Sequence, residues 1–131
     1  MPAYGKFTTL GLPATCIYPG DTVAVWNAET VTTASASMQL CLSEPVDGGD
    51  KSCSIEITFS GAPGAFAIDT QTADTDTNSA YTTLGIAAQF TAVNSGNYAS
   101  FQLPELKCKF IRLVMTTQPG NAVTVTAKIT R

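Results

Sequence analysis

Strict alternation of apolar and polar residues constrains the fold of this chain more than any other feature. Between residues 53 and 60 every odd position is apolar and every even position is polar. Residues 98–103 and 122–130 show the same period of two. Successive side chains of a β-strand point to opposite faces. The pattern therefore predicts strands with one face on a core and the other in water.

Residues 109–116 are almost continuously apolar, which predicts a central strand that is covered on both sides. Arg112 interrupts this run. A buried arginine needs a partner, because removing its charge from water is costly. We therefore expect Arg112 to point to an open face or to pair with a carboxylate such as Glu105 or Asp69.

Less regular apolar patterns predict further strands in four segments: residues 22–26, 34–42, 64–69 and 81–90. In the second segment the even positions predict the apolar face, which consists of Ala34, Ala36, Met38, Leu40 and Leu42. The last segment also fits a helical spacing, but Gly85 weakens a helix and alternation fits better.

Short runs rich in Gly, Pro, Asn and Asp separate the predicted strands, for example at residues 94–97 and 118–121. Seven or eight strands at this spacing predict an all-β fold, an antiparallel β-sandwich or a barrel. We predict one domain over residues 1–131, with an N-terminal arm of about residues 1–20. Alternation does not record strand order, so a jelly roll and an immunoglobulin-like sandwich both remain open.

Histidine is absent from the chain, which excludes Ser-His-Asp and Cys-His catalysis and histidine-ligated metals. Charged residues make up only 13% of the chain, against about 25% in an average domain, so the surface is neutral and rich in hydroxyl groups. The net charge of −3 argues against nucleic-acid binding. No apolar run is long enough for a membrane helix, and the N-terminus lacks a secretory signal, so we expect a cytoplasmic product.

The four cysteines are Cys16, Cys41, Cys53 and Cys108. They form no C-x-x-C pair, which argues against a zinc site. An even count permits two disulfides, but a chain kept in the cytosol should hold free thiols. We favour buried thiols, because Cys53 lies in the apolar phase of its strand pattern.

Two acidic segments invite functional hypotheses. Residues 74–79 resemble the start of a calcium loop, but Gly85 stands where the bidentate glutamate belongs, which favours a polar loop. Glu44, Asp47 and Asp50 could serve glycoside hydrolysis, but nothing in the sequence places two carboxylates across a cleft. We predict no catalytic residue, no metal site, no cofactor and no enzymatic activity.

The first twenty residues are apolar for a terminus and lack steady alternation. Such an arm can pack on its own domain or reach a neighbouring subunit, since strand or arm addition is a recurrent recognition mode. Aromatic and large aliphatic side chains anchor protein interfaces. We predict partner binding through five residues of this arm: Tyr4, Phe7, Leu10, Leu12 and Tyr18.

The second half of the chain resembles a family of virion proteins. The segments Phe66 to Asp76, Phe101-Gln-Leu-Pro, Lys109 to Thr116 and Gly120 to Ile129 are similar in style and order to jelly-roll-like head decoration, or cement, proteins of tailed bacteriophages. The resemblance covers roughly residues 60–131. It implies a jelly-roll-like sandwich and a structural protein on the capsid exterior, made in the host cytoplasm.

The family resemblance also implies partners. The major capsid protein is the expected one, and the chain would stabilise the expanded shell by bridging capsid subunits. A homo-oligomer, a dimer or a trimer, is expected, and no nucleic acid or membrane. The phrase Phe110-Ile-Arg-Leu-Val-Met also resembles the penultimate strand of galactose-binding jelly rolls. It implies an alternative, a carbohydrate-binding module of a phage fibre or a lectin-like domain.

Overall fold

Two β-sheets face each other in the computed structural model, which describes residues 15–42, 51–84, 89–93, 96–106 and 108–131. These residues contain one 3-10 turn, Asn78–Ala80, and no α-helix. They form ten strands: β1 Thr15–Ile17, β2 Thr22–Glu29, β3 Leu40–Leu42, β4 Lys51–Phe59, β5 Ala67–Ala73, β6 Thr82–Thr83, β7 Gln89–Phe90, β8 Tyr98–Leu106, β9 Phe110–Thr117 and β10 Val125–Thr130. The all-β prediction is confirmed.

The first sheet has the strand order β1-β3-β9-β5-β6, and β7 pairs with β5 beside β6. The second sheet has the order β2-β10-β4-β8. All neighbours pair antiparallel except β1 and β3, which are parallel. From β2 to β5 and from β7 to β10, the chain changes sheet at every connection.

This order is that of a jelly roll. The pairs β2–β10 and β4–β8 lie in one sheet, whereas β3–β9 and the pairing of β5 with β6 and β7 lie in the other. The chain from β2 to β10 thus folds as one long antiparallel ribbon wrapped around a core, with β2 and β10 side by side. β6 and β7 share one jelly-roll position, so the eight expected positions contain nine strands, and β1 is an additional tenth strand.

The core lies between the sheets and comes from the alternating residues. In the second sheet Ile55, Ile57 and Ile129 have no exposed surface. Facing them from the first sheet, β9 contributes three side chains that are also fully buried: Ile111, Leu113 and Met115. Trp26 is buried as well. The period of two therefore predicts the inner face of β4 and β10 correctly.

Residues 34–42 depart from the predicted alternation. Only Leu40–Leu42 is a strand, Ala34 and Ala36 are exposed, and Ser37 and Gln39 are buried instead. Ala34 has a positive φ of 72°, which breaks the extended conformation. The backbone N–H of Ser37 then donates to Leu113 O at 2.7 Å, so this irregular segment lies along β9 and buries the odd positions.

All four cysteines carry free thiols, as predicted, but burial is limited to one of them. Cys53 is buried, whereas Cys16, Cys41 and Cys108 are half-buried. Burial raises the pKa of the Cys53 thiol to about 12. None of the described helical residues forms a segment long and apolar enough to cross a membrane.

Replacement of Ile57 tests the core. Ile57 is fully buried in β4, between β10 and β8. We expect Ile57→Ala to lower the free energy of unfolding by about 2–5 kcal/mol and Ile57→Val by about 0.5–1.5 kcal/mol, because both leave a cavity. Urea titration followed by circular dichroism measures the change. Ser52→Ala, at an exposed position of the same strand, is the control, and equal stability of Ile57→Ala and wild type would contradict this core.

Thiol labelling tests the burial of Cys53. The thiolate is the reactive form, and a pKa of about 12 leaves little of it at pH 8. We expect Cys53 to be the slowest of the four cysteines to react with iodoacetamide in the native protein. Labelling in urea should abolish the difference. Peptide mass spectrometry gives the rate at each site, and fast native labelling of Cys53 would show that the inner face of β4 is open.

Candidate functional site

A polar cleft of about 840 Å³ lies on the outer face of the first sheet. Its floor includes Gln71 of β5 and Arg112 and Val114 of β9, which alternate with the buried core residues of these strands. One wall is the segment 29–37, and the turn at residues 78–79 lines another side. Sites for small molecules usually measure about 300–1,000 Å³, so this cleft has the size of a ligand site.

Arg112 is the charged group of the cleft floor, and only 7% of it is exposed. Its Nε donates to Gln71 Oε1 at 3.0 Å, and its Nη1 donates to Asn78 Oδ1 at 2.6 Å. The guanidinium carbon lies 4.1 Å from the centroid of the Tyr81 ring. Burial lowers the pKa of Arg112, and the Coulombic effects of Tyr81 and Asp76 oppose this shift. The guanidinium is thus held rigidly in one place.

Arg112 lies on the outer face of β9, but it is buried there rather than open to solvent, and the pairing with Asp69 is wrong. The hydrogen bonds of Arg112 go to two neutral amide oxygens. Asp69 shares the outer face of β5 with Gln71, one pleat further along the strand. The side chain of Glu105 lies outside the described residues.

Asp76 organises the layer around Arg112. The Tyr81 hydroxyl donates to Asp76 Oδ1 at 2.8 Å, and Gln39 Nε2 donates to the same oxygen at 3.2 Å. Tyr81 and Gln39 are both buried. Burial and the bond to Asp76 raise the pKa of Tyr81 well above its usual range. The phenol is therefore neutral, and it fixes the ring against which Arg112 stacks.

The segment 74–79, which resembles a calcium loop, uses its oxygens within the protein. Asp76 accepts hydrogen bonds from Tyr81 and Gln39, and Asn78 accepts one from Arg112. Asp74 is exposed. In the part of the chain that the structure describes, no three His, Cys, Asp or Glu residues are grouped so that they could hold a metal ion. Two side chains of the loop, Asp76 and Asn78, thus position Tyr81 and Arg112 by accepting their hydrogen bonds.

The outer face of the second sheet is different in character. Three strands form a grid of outward positions, with Thr126, Thr58 and Tyr98 in one row, Lys128, Glu56 and Ser100 in the next, and Thr130, Ser54 and Gln102 in the third. We call these nine residues the hydroxyl face. Six of them carry a hydroxyl group, and its two charges, Glu56 and Lys128, are opposite and adjacent in register.

Hydrogen bonds order the hydroxyl face. The Tyr98 hydroxyl donates to Glu56 Oε2 at 2.7 Å, and this bond is the main reason why the pKa of Tyr98 is raised. Thr130 and Thr22 share a hydrogen bond of 2.8 Å between their hydroxyls. Thr126 accepts from the backbone N–H of Ala28 at 3.0 Å. Tyr98, Glu56, Thr126 and Thr130 are therefore held in place by hydrogen bonds before any partner binds.

Of the five predicted partner-binding residues, the structure describes only Tyr18. It is 57% exposed, in the turn between β1 and β2. Backbone bonds join this turn to Arg131, which follows the Thr130 row of the hydroxyl face. Tyr4, Phe7, Leu10 and Leu12 lie outside the described residues, as do Glu44, Asp47 and Asp50.

Sequence reasoning missed the cleft. The sequence contains one local indication of the cleft, the charged residue Arg112 within an apolar strand. The partners Gln71 and Asn78 lie 41 and 34 residues away in sequence, and no pattern in the sequence links Tyr81 to Arg112. No spacing rule connects residues that only the strand order brings together.

No family model matches the chain, and no curated protein matches it in sequence. Among solved structures, the crystal structure of the SPBc2 prophage-derived protein YomS is similar, with a TM-score of 0.47 and 15% identity over 86% of this chain and 96% of that chain. This similarity does not assign a function to the chain.

The raised pKa of Tyr81 predicts that the folded protein loses stability at alkaline pH. The folded state keeps the Tyr81 proton above pH 10, where an unfolded tyrosine loses it. The unfolded state then binds fewer protons, so stability falls as pH rises above about 10. We expect a shallower fall in Tyr81→Phe, which has no titrating phenol at this position.

Urea titrations between pH 8 and pH 11 measure this difference. At pH 8 the loss of the bond to Asp76 should make Tyr81→Phe less stable by about 1.5–3 kcal/mol. The titration of Cys53 changes the stability of both proteins equally, so it cancels in the comparison. Tyr18→Phe, at an exposed tyrosine, is the control. Parallel stability curves for wild type and Tyr81→Phe would contradict the raised pKa.

Proposed function

We propose that this chain is a structural virion protein, a capsid decoration protein that binds the outer surface of the expanded shell and bridges capsid subunits. The observation that carries the proposal is the hydroxyl face, a nearly neutral surface of nine side chains, four of which are held by hydrogen bonds. Jelly rolls are common among viral capsid proteins, and the family resemblance of residues 60–131 points in the same direction. No catalytic role is part of the proposal.

The hydroxyl face suits docking because little side-chain freedom is lost there. Immobilising a long side chain at an interface costs about 0.5–1.5 kcal/mol. On this face only Glu56, Lys128 and Gln102 are long and flexible, and Glu56 is already bonded to Tyr98. Tyrosine is also enriched at interfaces, and Tyr98 is 38% exposed.

Stabilisation of a shell follows from mass action. A protein that binds only the assembled, expanded shell lowers its free energy relative to the dissociated subunits. A dimer or trimer presents the same face two or three times, so each molecule can hold neighbouring capsid subunits together. Tyr18, beside the Thr130 row, would extend the contact at one end of the face.

Co-sedimentation with expanded, empty capsids of the phage that encodes the chain tests the proposal. We expect saturation at a fixed ratio to the capsid protein, and a higher melting temperature of the decorated shell. Thr58→Arg places a long charged side chain on the hydroxyl face and should weaken binding at least tenfold. Thr58 is exposed, so the variant should fold.

Ala36→Arg is the matched control, because it adds the same side chain at an exposed position on the other sheet. It should bind capsids like wild type. Equal binding by Thr58→Arg and Ala36→Arg would remove the hydroxyl face from the contact. Wild-type protein that stays in the supernatant would overturn the decoration role itself.

A carbohydrate-binding module is the second candidate, and one observation favours it. The cleft at Arg112 is lined by hydroxyl and amide side chains around a fixed guanidinium. Such groups hydrogen-bond sugar hydroxyls, and jelly rolls also include lectin domains. The cleft and the hydroxyl face lie on opposite sheets, so either function can exist without the other.

A further inference from the structure

We infer that the cleft binds a sugar carrying a carboxylate, with the carboxylate on Arg112; the inference rests on the second candidate function, carbohydrate binding. The starting observation is an incompletely paired cation. Arg112 donates to Gln71 and Asn78 through Nε and Nη1, and its Nη2 donates to none of the described residues. Arginine is the side chain best shaped to bind a carboxylate.

The two amide partners make the floor of the cleft rich in donors. Gln71 Oε1 and Asn78 Oδ1 both accept from Arg112. Their acceptor ends are thus turned to the guanidinium, and what remains on each side chain is an NH₂ group, which only donates. A cation flanked by amide donors favours a ligand that is anionic and rich in acceptors.

Asp76 is the carboxylate that acts on the charge of Arg112, but no hydrogen bond joins the two side chains. Asp76 interacts with Arg112 electrostatically, but it accepts its hydrogen bonds from Tyr81 and Gln39. Tyr81 lies against one face of the guanidinium, so the ring holds it from that side. The positive charge is oriented in advance, and a ligand carboxylate would not have to reorganise the site.

The remaining lining favours a sugar over a bare anion. Thr30, Ser35 and Ser79 supply hydroxyl groups around the cleft, and Val31 and Val114 supply a small apolar surface for ring C–H groups. Glu29 adds an acceptor for a sugar hydroxyl. Trp26 also lines the cleft but is only 2% exposed. Recognition therefore rests on hydrogen bonds and charge, with little aromatic stacking.

Titration of the full-length protein with glucuronate, glucose and inorganic phosphate, followed by NMR of ¹⁵N-labelled amides, tests the inference. We expect glucuronate to shift the amide signals of Gln71, Asn78 and Arg112, and to bind at least tenfold more tightly than glucose or phosphate. Arg112→Met should abolish this preference, whereas Arg112→Lys should retain part of it.

A second variant keeps Arg112 and therefore tests the cleft even if the Arg112 variants do not fold. Ala36→Trp fills the cleft from an exposed wall position and leaves the Arg112 contacts in place. It should weaken glucuronate binding at least tenfold, while Thr58→Trp, on the hydroxyl face, should not. Circular dichroism confirms that each variant is folded.

Three outcomes would overturn the inference. Equal affinity for glucose and glucuronate would leave a carbohydrate module without a carboxylate site. Phosphate binding that matches glucuronate would show a general anion site. The absence of binding by all three probes, or undiminished glucuronate binding in folded Ala36→Trp, would remove this cleft as a sugar site. None of these results bears on capsid binding, which uses the opposite sheet.

Discussion

Every other contact depends on the pairing of the last two strands with partners distant in sequence. β10 lies between β2 and β4, and β9 lies between β3 and β5, so the C-terminal strands occupy central positions in both sheets. The rows Thr130–Thr22 and Ile129–Ile55 join positions far apart along the chain. Neither sheet is complete until β9 and β10 have paired with their neighbours. Such non-local pairing slows folding, because the loops must close before the contacts stabilise anything.

A sandwich with a single core leaves two outer faces, and here they differ chemically. On the second sheet six of the nine outward residues carry a hydroxyl group, and the two charges are opposite. On the first sheet residues 29–37 form one wall of a cleft around Arg112, and part of this segment is joined to β9 by backbone hydrogen bonds. The positive φ of Ala34 allows this segment to leave the strand geometry. One face is therefore suited to a protein partner and the other to a small ligand.

The layer beneath Arg112 shows how a charge is accommodated in an otherwise apolar strand. The cation contacts two amide oxygens and an aromatic ring, and Asp76 accepts a hydrogen bond from the hydroxyl of that ring. Asp76 acts on Arg112 electrostatically, without a hydrogen bond between the two side chains. Asn78 and Asp76 come from the loop that resembles a calcium site, and both use their oxygens to hold this layer together.

Alternation in the sequence determined the inner and outer faces of β4, β8 and β10, because a strand has only two faces and burial selects one of them. The same rule predicts that the nine residues of the hydroxyl face point outward, but it does not predict which of them are neighbours across strands. Absence of histidine likewise settled which catalytic classes are excluded. Alternation predicted the burial of Leu40 and Leu42 but failed at residues 34–39, where a backbone conformation rather than hydrophobicity decides burial.

Only the tertiary structure decided the strand order, and with it the jelly roll and the cleft. Gln71, Asn78 and Tyr81 meet Arg112 because β5 pairs with β9 and the 3-10 turn lies beside them. Hydrophobic patterning acts along a single strand and is identical for a jelly roll and for an immunoglobulin-like order. Which strands become neighbours depends on long-range pairing, and that information is carried by the packed core as a whole rather than by any local segment.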